Sequence, residues 1–255
     1  MKLFNEYYNT IVREAEQVRN RIGFFPGGFK PPHAGHFAAL QAMLGYDVRN
    51  PETGEDILLD GATISDNVNI IIGHAPRGSA DQNDIYRKMK SRKGTSPEDL
   101  KSTEETMITK EMSMKVWEMY ISDAAPEMKN KVNVSISSHA SPIIGMEQAI
   151  LGLDSKTIGS SVLNLYAGEE DQKRYEYFTS EKFRMKIADE KRLPVESIYI
   201  QSNKIGRLGS ATDARSQIMR IATQEADMET LSRFIPPGVN TLNFMNLLQS
   251  FHRIQ

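Results

Sequence analysis

The sequence predicts an α/β fold: a Rossmann-like parallel sheet with helices on both faces, plus an N-terminal helix and a C-terminal helical extension. Three observations carry that expectation. Short apolar runs alternate with helical spacings between residues 21 and 200, a Gly- and Pro-rich turn follows the first run, and the chain beyond residue 210 reads as helix alone.

Residues 4–19 place Phe4, Tyr7, Tyr8, Ile11, Val12 and Ala15 at i, i+3, i+4 spacing, a helix with one apolar face. Residues 21–26 (RIGFFP) form a buried strand, broken by Gly27-Gly28 and Pro31-Pro32. Phe37, Leu40, Met43 and Leu44 then mark a helix face. Strands follow at 68–72, 132–137, 161–167 and 197–200, with helices at 106–121 and 146–151. The late helices run to about residue 224, from 228 to 234, and from 240 to 251, where Phe244, Leu247, Leu248 and Phe251 share one face. Residues 50–66 and 77–105 read as insertions, the first acidic and turn-rich, the second charged and poor in apolar residues. The organisation is thus an N-terminal helix (1–20), a sheet-bearing core (21–205) and a helical segment (206–255).

With 255 residues and 39% of them hydrophobic, the chain can bury a substantial core. It has no cysteine, which excludes disulfides, thiolate nucleophiles and Cys-bound metals and points to the cytoplasm. No window approaches the roughly 18 apolar residues of a membrane span. A net charge of −2 argues against binding long nucleic acid, whose affinity rests on many phosphate contacts.

In such sheets, chemistry gathers at the carboxyl ends of strands. The turn after the first strand reads Gly27-Gly28-Phe29-Lys30-Pro31-Pro32-His33-Ala34-Gly35-His36. Its glycines let backbone approach a ligand, its prolines stiffen the loop, and the helix behind it offers N–H groups and a positive dipole end to an anion. His33 and His36 add two hydrogen-bond donors for phosphate oxygens. His74, His139 and His252, outside any such frame, read first as ordinary structural histidines.

That decapeptide resembles the G-x-F-x-P-x-H-x-G-H signature of the nucleotidyltransferase superfamily, matching every fixed position. The superfamily includes cytidylyltransferases, nicotinamide-mononucleotide adenylyltransferases and phosphopantetheine adenylyltransferases. A second segment, Gly206 to Arg215, resembles its I-S-S/G-T-x-x-R motif, with Ser210, Thr212 and Arg215 at matching positions and Leu208-Gly209 replacing the usual aliphatic residue. A third, Gly168-Glu169-Glu170-Asp171, resembles the G-x-D turn after the fourth strand, though acidic residues also suit any helix start. The chain is similar, too, to cytidylyltransferase-like proteins of tailed phages, which share the Gly-Phe-Lys-Pro-Pro-His form and an Ile108-Thr109-Lys110-Glu111-type helix start.

The resemblance implies transfer of a nucleotidyl group, first of all AMP from ATP, to a phosphorylated small acceptor such as nicotinamide mononucleotide, with Mg²⁺ on the NTP and pyrophosphate released. His33, His36, Lys30 and Arg215 would act on the reacting phosphates. Gly27, Gly28, Phe29, Gly35, Gly168, Lys204, Arg207, Ser210 and Thr212 would hold the nucleotide, and no protein metal ligand is implied. His74, Arg77 and Asp171 would face the acceptor. Lys30 stands where many relatives carry an acidic residue, which leaves the acceptor open. A CTP-dependent enzyme acting on a sugar- or alcohol-phosphate and a non-catalytic nucleotide-binding protein, virion-associated for example, are the alternatives.

Arg87, Lys88, Lys90, Arg92 and Lys93 put five cations in seven residues. Such a run is a solvated face, a flap over a polyanion or a weak RNA patch. The terminal helices would cap the core or make a homo-oligomer contact. P-loop, nucleophile-elbow and H-E-x-x-H motifs are absent, as is the K-M-S-K-S-like loop of class I synthetases.

Overall fold

The computed structural model describes residues 19–51, 53–57, 59, 61–77, 80–92, 94–105, 107–168, 173–205 and 228–253. The helix expected over 4–19, the one expected to reach residue 224 and the segment Gly206 to Arg215 lie outside the described residues.

Five strands form one sheet: β1 (Asn20–Gly27), β2 (Asn67–Ile72), β3 (Val132–Ile136), β4 (Ser161–Gly168) and β5 (Tyr199–Ile205). Their order is β3-β2-β1-β4-β5 and every neighbouring pair is parallel. This is the Rossmann-like α/β architecture that the alternating pattern predicts. Helix α1 (Ala34–Met43) follows β1. Helices α2 (Ala80–Ser91), α3 (Pro97–Glu105) and α4 (Lys110–Ala124) lie between β2 and β3, and α5 (Pro142–Gly152) and α6 (Ser155–Ser160) between β3 and β4. Helices α7 (Glu176–Thr179) and α8 (Glu181–Lys191) precede β5; α9 (Met228–Ser232) and α10 (Thr241–Arg253) come last.

Strand side chains alternate faces, so the central strands feed two separate cores. Phe25, Ile70, Ile72 and Tyr166 join Phe37, Leu40, Trp117 and Tyr120 on one face. Ile22, Phe24, Ile71, Leu163 and Leu165 join Met146, Ile150, Phe183 and Ile187 on the other. Helix α10 belongs to the first core, where Phe244 stacks on Tyr120 at 6.0 Å and Leu248 is buried. Of the two roles open to this helix, capping the core is the one these contacts fill.

The chain winds outward from β1 through β2 to β3, then returns to lay β4 against the other side of β1, so the winding reverses between β1 and β4. Their pairing stops at Phe24↔Leu165, whereas β1 stays paired with β2 as far as Gly27↔Ile72. The last residues of β1 and β4 therefore part, opening a crevice at the reversal, where ligands bind in sheets of this kind.

Two expectations are corrected. The helix expected at 106–121 begins at Lys110, because Ile108 is drawn into an antiparallel bridge with Arg77 and Thr109 Oγ1 accepts the Met112 N–H at 3.2 Å as the cap. The strand expected at 197–200 runs over Tyr199–Ile205. It is an edge strand, half covered, so Gln201 and Asn203 hide it from an apolar pattern. The charged insertion 77–105 contains α2 and α3, and the Arg77–Ile108 bridge closes it at its base.

The turn before β2 is fastened by a buried polar network. Ser65 Oγ lies 2.7 Å from Tyr166 Oη, Asn164 Nδ2 donates to Ser65 Oγ at 3.0 Å, and Gln201 Nε2 donates to Asn164 Oδ1 at 2.6 Å. Burial pushes the Tyr166 phenol up to about 12, so it stays a donor, and it reaches the Thr63 carbonyl. Gly23 makes room: a Cβ there would come within 2.8 Å of the Tyr166 ring and 3.0 Å of Ser65 Oγ. Gly23→Ala is expected to destabilise the fold by about 1–3 kcal/mol. A urea midpoint equal to that of the unsubstituted protein would overturn this account.

Candidate functional site

The β1–α1 turn is built around two imidazoles. His33 is the N-cap of α1, extended at φ −134° and ψ 174°, and its Nδ1 accepts the Gly35 N–H at 3.1 Å. His36, one turn on, accepts the His33 N–H through its own Nδ1 at 3.3 Å. Such a reciprocal cap is ordinarily made by Ser or Thr with Glu or Gln. Here it has a chemical consequence: with both Nδ1 atoms accepting, each neutral ring carries its proton on Nε2. The rings lie 3.8 Å apart, centroid to centroid.

The sequence leads one to expect bare N–H groups at the start of α1. The structure uses them within the protein instead. Ala34 N–H donates to the Phe234 carbonyl at 2.8 Å and Gly35 N–H to His33. The C-terminal segment thus clamps the start of the helix, and the imidazoles take over as donors.

Phe29 holds the pair from behind. It sits at φ 43°, 5% exposed, with its ring 4.9 Å from Phe25, 5.1 Å from His36 and 5.4 Å from Trp117. Gly27 exists for this ring, since a Cβ there would stand 2.6 Å from it. Gly28 is exposed, with open space where a Cβ would be. From α4, Tyr120 Oη donates to the Pro32 carbonyl at 3.2 Å, and its burial pushes the phenol well above its ordinary range.

Lys30 is 3% exposed and its Nζ donates to the Gly73 carbonyl, tying the β1 turn to the β2 turn. Gly73 N–H returns a bond to the Gly27 carbonyl at 2.9 Å. Burial lowers the Lys30 ammonium to about 7, with the Arg77 charge lowering it further, Glu111 raising it and Lys110 lowering it. Lys110 Nζ lies 2.8 and 2.9 Å from the two ring nitrogens of exposed His74, and 3.7 Å from Glu111 Oε1. Lys30, His33, His36, His74 and Arg77 therefore meet at the carboxyl edge of β1 and β2. Lys110 joins them although sequence reasoning did not single it out. Its signal was the Ile108-Thr109-Lys110-Glu111 helix start, which gave it no role at the sheet edge.

Across the crevice, Gly168 ends β4, exposed, with open space at its Cβ position, and Lys204 is exposed on β5 beside Ala167. Gly35 is buried in α1. Arg207, Ser210, Thr212, Arg215 and Asp171 lie outside the described residues.

The structure gathers two imidazoles, two lysines and a guanidinium at one sheet edge, with Glu111 as their acidic neighbour, a set whose donors suit an anion. It also makes stability depend on pH. Below about pH 7 the Lys30 ammonium is charged in folded and unfolded chains alike, and its burial opposes folding in full. From about 7 up to 10.5 the unfolded chain holds more protons, so stability rises with pH. The unsubstituted protein is expected to gain stability relative to Lys30→Met between about pH 7 and pH 9. Parallel denaturation curves over that range, with a constant difference, would contradict the lowered ammonium.

No protein-family model and no curated protein matches the chain. Among solved structures 13 chains match. One is a Plasmodium falciparum nicotinic acid mononucleotide adenylyltransferase complexed with APC, at 11% identity and TM-score 0.47, covering 91% of this chain and 97% of that one. Another, from Vibrio parahaemolyticus, is provisionally described as a nicotinate-nucleotide adenylyltransferase, at 12% identity and TM-score 0.41, covering 90% and 96%. Both TM-scores lie below 0.5, so the fold assignment stands on this chain's own strand order. Among the described residues no helix is long and apolar enough to cross a membrane.

Proposed function

We propose that this protein is a nucleotidyltransferase, moving a nucleotidyl group from an NTP, with ATP the first choice, to a phosphorylated small acceptor. The observation that carries the reading is the His33–His36 pair: two rings held by the backbone so that both neutral protons lie on Nε2, at the carboxyl edge of the sheet. In the reaction an acceptor phosphate oxygen attacks the α-phosphorus in line. The new O–P bond forms as the bond to the β-phosphate bridging oxygen breaks, and pyrophosphate leaves with the electron pair. The attacking oxygen is already ionised, so the site needs no strong base. Its work is positioning and charge stabilisation.

The imidazole Nε2–H groups serve the oxygens around the α-phosphorus, where charge shifts toward the leaving group. Lys30 and Lys110 supply positive charge beside them, and His74 and Arg77 face the acceptor. Among the described residues no three His, Asp or Glu side chains gather to hold a metal, and the donor set at this edge is cationic. In this reading Mg²⁺ enters as part of the NTP substrate.

The test is pyrophosphate release with Mg²⁺ and either ATP or CTP, against nicotinamide mononucleotide, phosphopantetheine and a set of sugar and alcohol phosphates. Release that requires one NTP and one acceptor supports the reading and names both. NTP binding without release from any pair favours a binding protein.

A further inference from the structure

Helix α2 carries most of the chain's densest basic run, and the structure divides the four described cations of that run between two clefts. Arg87 and Lys90, three residues apart and so on one helix face, line a cleft of about 430 Å³ with Arg77, Tyr86 and Asn83. Lys88 and Arg92 line a second cleft, about 480 Å³, on the other flank against α3. The first cleft has no carboxylate in its lining. Asp84 approaches Arg87 at 3.6 Å, but both side chains are well exposed, and such a pair is weak enough for a phosphate to displace.

Arg77 is the shared wall. Its charge acts on Lys30 on one side and its side chain lines the cleft on the other, while its backbone is fixed by the bridge to Ile108. The cleft therefore borders the candidate site at Arg77. Its volume suits a group of ligand size and exceeds what one phosphate fills. Tyr86 adds an aromatic face, with Lys90 Nζ 5.8 Å from its ring centroid. Cations beside an aromatic ring match a phosphate joined to a nucleobase or similar ring.

We propose that the cleft between the β2 turn and α2 is a subsite for a second phosphoryl group of the acceptor, one set apart from the phosphate that reacts. The inference rests on the transferase reading for the word acceptor; the subsite itself rests on the cleft. A nucleoside 3′,5′-bisphosphate and a 5′-phosphorylated dinucleotide both carry this chemistry, one as a free small molecule and the other as the end of a strand.

Titration calorimetry without NTP tests it, comparing a nucleoside 5′-monophosphate, the 3′,5′-bisphosphate and the 5′-phosphorylated dinucleotide on the intact protein and on Arg87→Gln/Lys90→Gln. The intact protein is expected to bind at least one of the two-phosphate ligands about tenfold more tightly than the monophosphate. The double variant should lose that preference while keeping its circular dichroism and its affinity for the monophosphate. Equal affinity for all three ligands overturns the subsite, as does a variant that weakens monophosphate and NTP binding alike, which would assign the cleft to the reacting phosphates. Preference for two phosphates without any pyrophosphate release would retain the subsite and remove the transferase. Release with a monophosphate acceptor and no such preference would do the reverse.

Discussion

Replacing His36 with asparagine is expected to lower pyrophosphate release about 10²–10³-fold while leaving the fold intact. The substitution separates two roles that alanine would merge. His36 Nδ1 accepts the His33 N–H as part of the helix cap, and the amide oxygen of asparagine is placed to do the same. The amide lacks a donor at the Nε2 position, where the charge of the transition state is to be met. His36→Ala would lose the cap as well, at a cost of about 0.5–2 kcal/mol, so its kinetic defect would be harder to interpret. Turnover and thermal midpoint measured together decide the matter. Near-normal turnover in a folded His36→Asn protein would remove the imidazole from the mechanism, and a large loss of midpoint would make it structural.

Trp117→Ala is expected to cost about 3–5 kcal/mol, a large share of the roughly 5–15 kcal/mol that stabilises a domain. Trp117 is the sole tryptophan, is fully buried, and stands edge-on to Phe29 and Tyr120 at 5.4 and 6.4 Å. Removing the indole opens a cavity directly behind the ring that supports His36. Turnover should therefore fall alongside stability. Circular dichroism during urea denaturation is the suitable measurement, because the variant has no tryptophan left to follow. A loss below about 1 kcal/mol would show that the first core tolerates collapse around this position and that Phe29 needs no wall.

Much of the fold is legible in the sequence because the central strands are buried on both faces. Residues 22–25, 70–72 and 162–167 are continuously buried, so they appear as nearly unbroken apolar runs, Asn164 being the one polar residue among them. β5 is less visible because it is an edge strand and mixes Gln201 and Asn203 with its aliphatic residues. The start of α4 was misplaced for a different reason. Residues 107–109 have helical company on both sides, and only the bridge from Ile108 to Arg77, 31 positions apart in number, makes them extended. Short helices such as α6 and α7 carry too few turns to produce a period.

The candidate site divides in the same way. Local chemistry sufficed to single out His33 and His36, because glycine, proline and histidine at fixed offsets are read within ten residues. Lys30 was visible as a residue type, but its burial against Gly73 and its lowered ammonium depend on the β2 turn, 43 residues on. Lys110 was visible only as part of a helix start and not as a site residue: it reaches the edge because a charged excursion of two helices closes at its base.

By itself, then, the sequence determined the α/β class and the histidine-bearing turn, because both are written in short-range periodicity and steric demands. Only the tertiary structure decided which cations face one another, that the first N–H groups of α1 are bound within the protein, and that the basic run is shared between two clefts. Those outcomes depend on contacts between segments distant in sequence, where burial and charge are properties of the assembled edge and of no single segment.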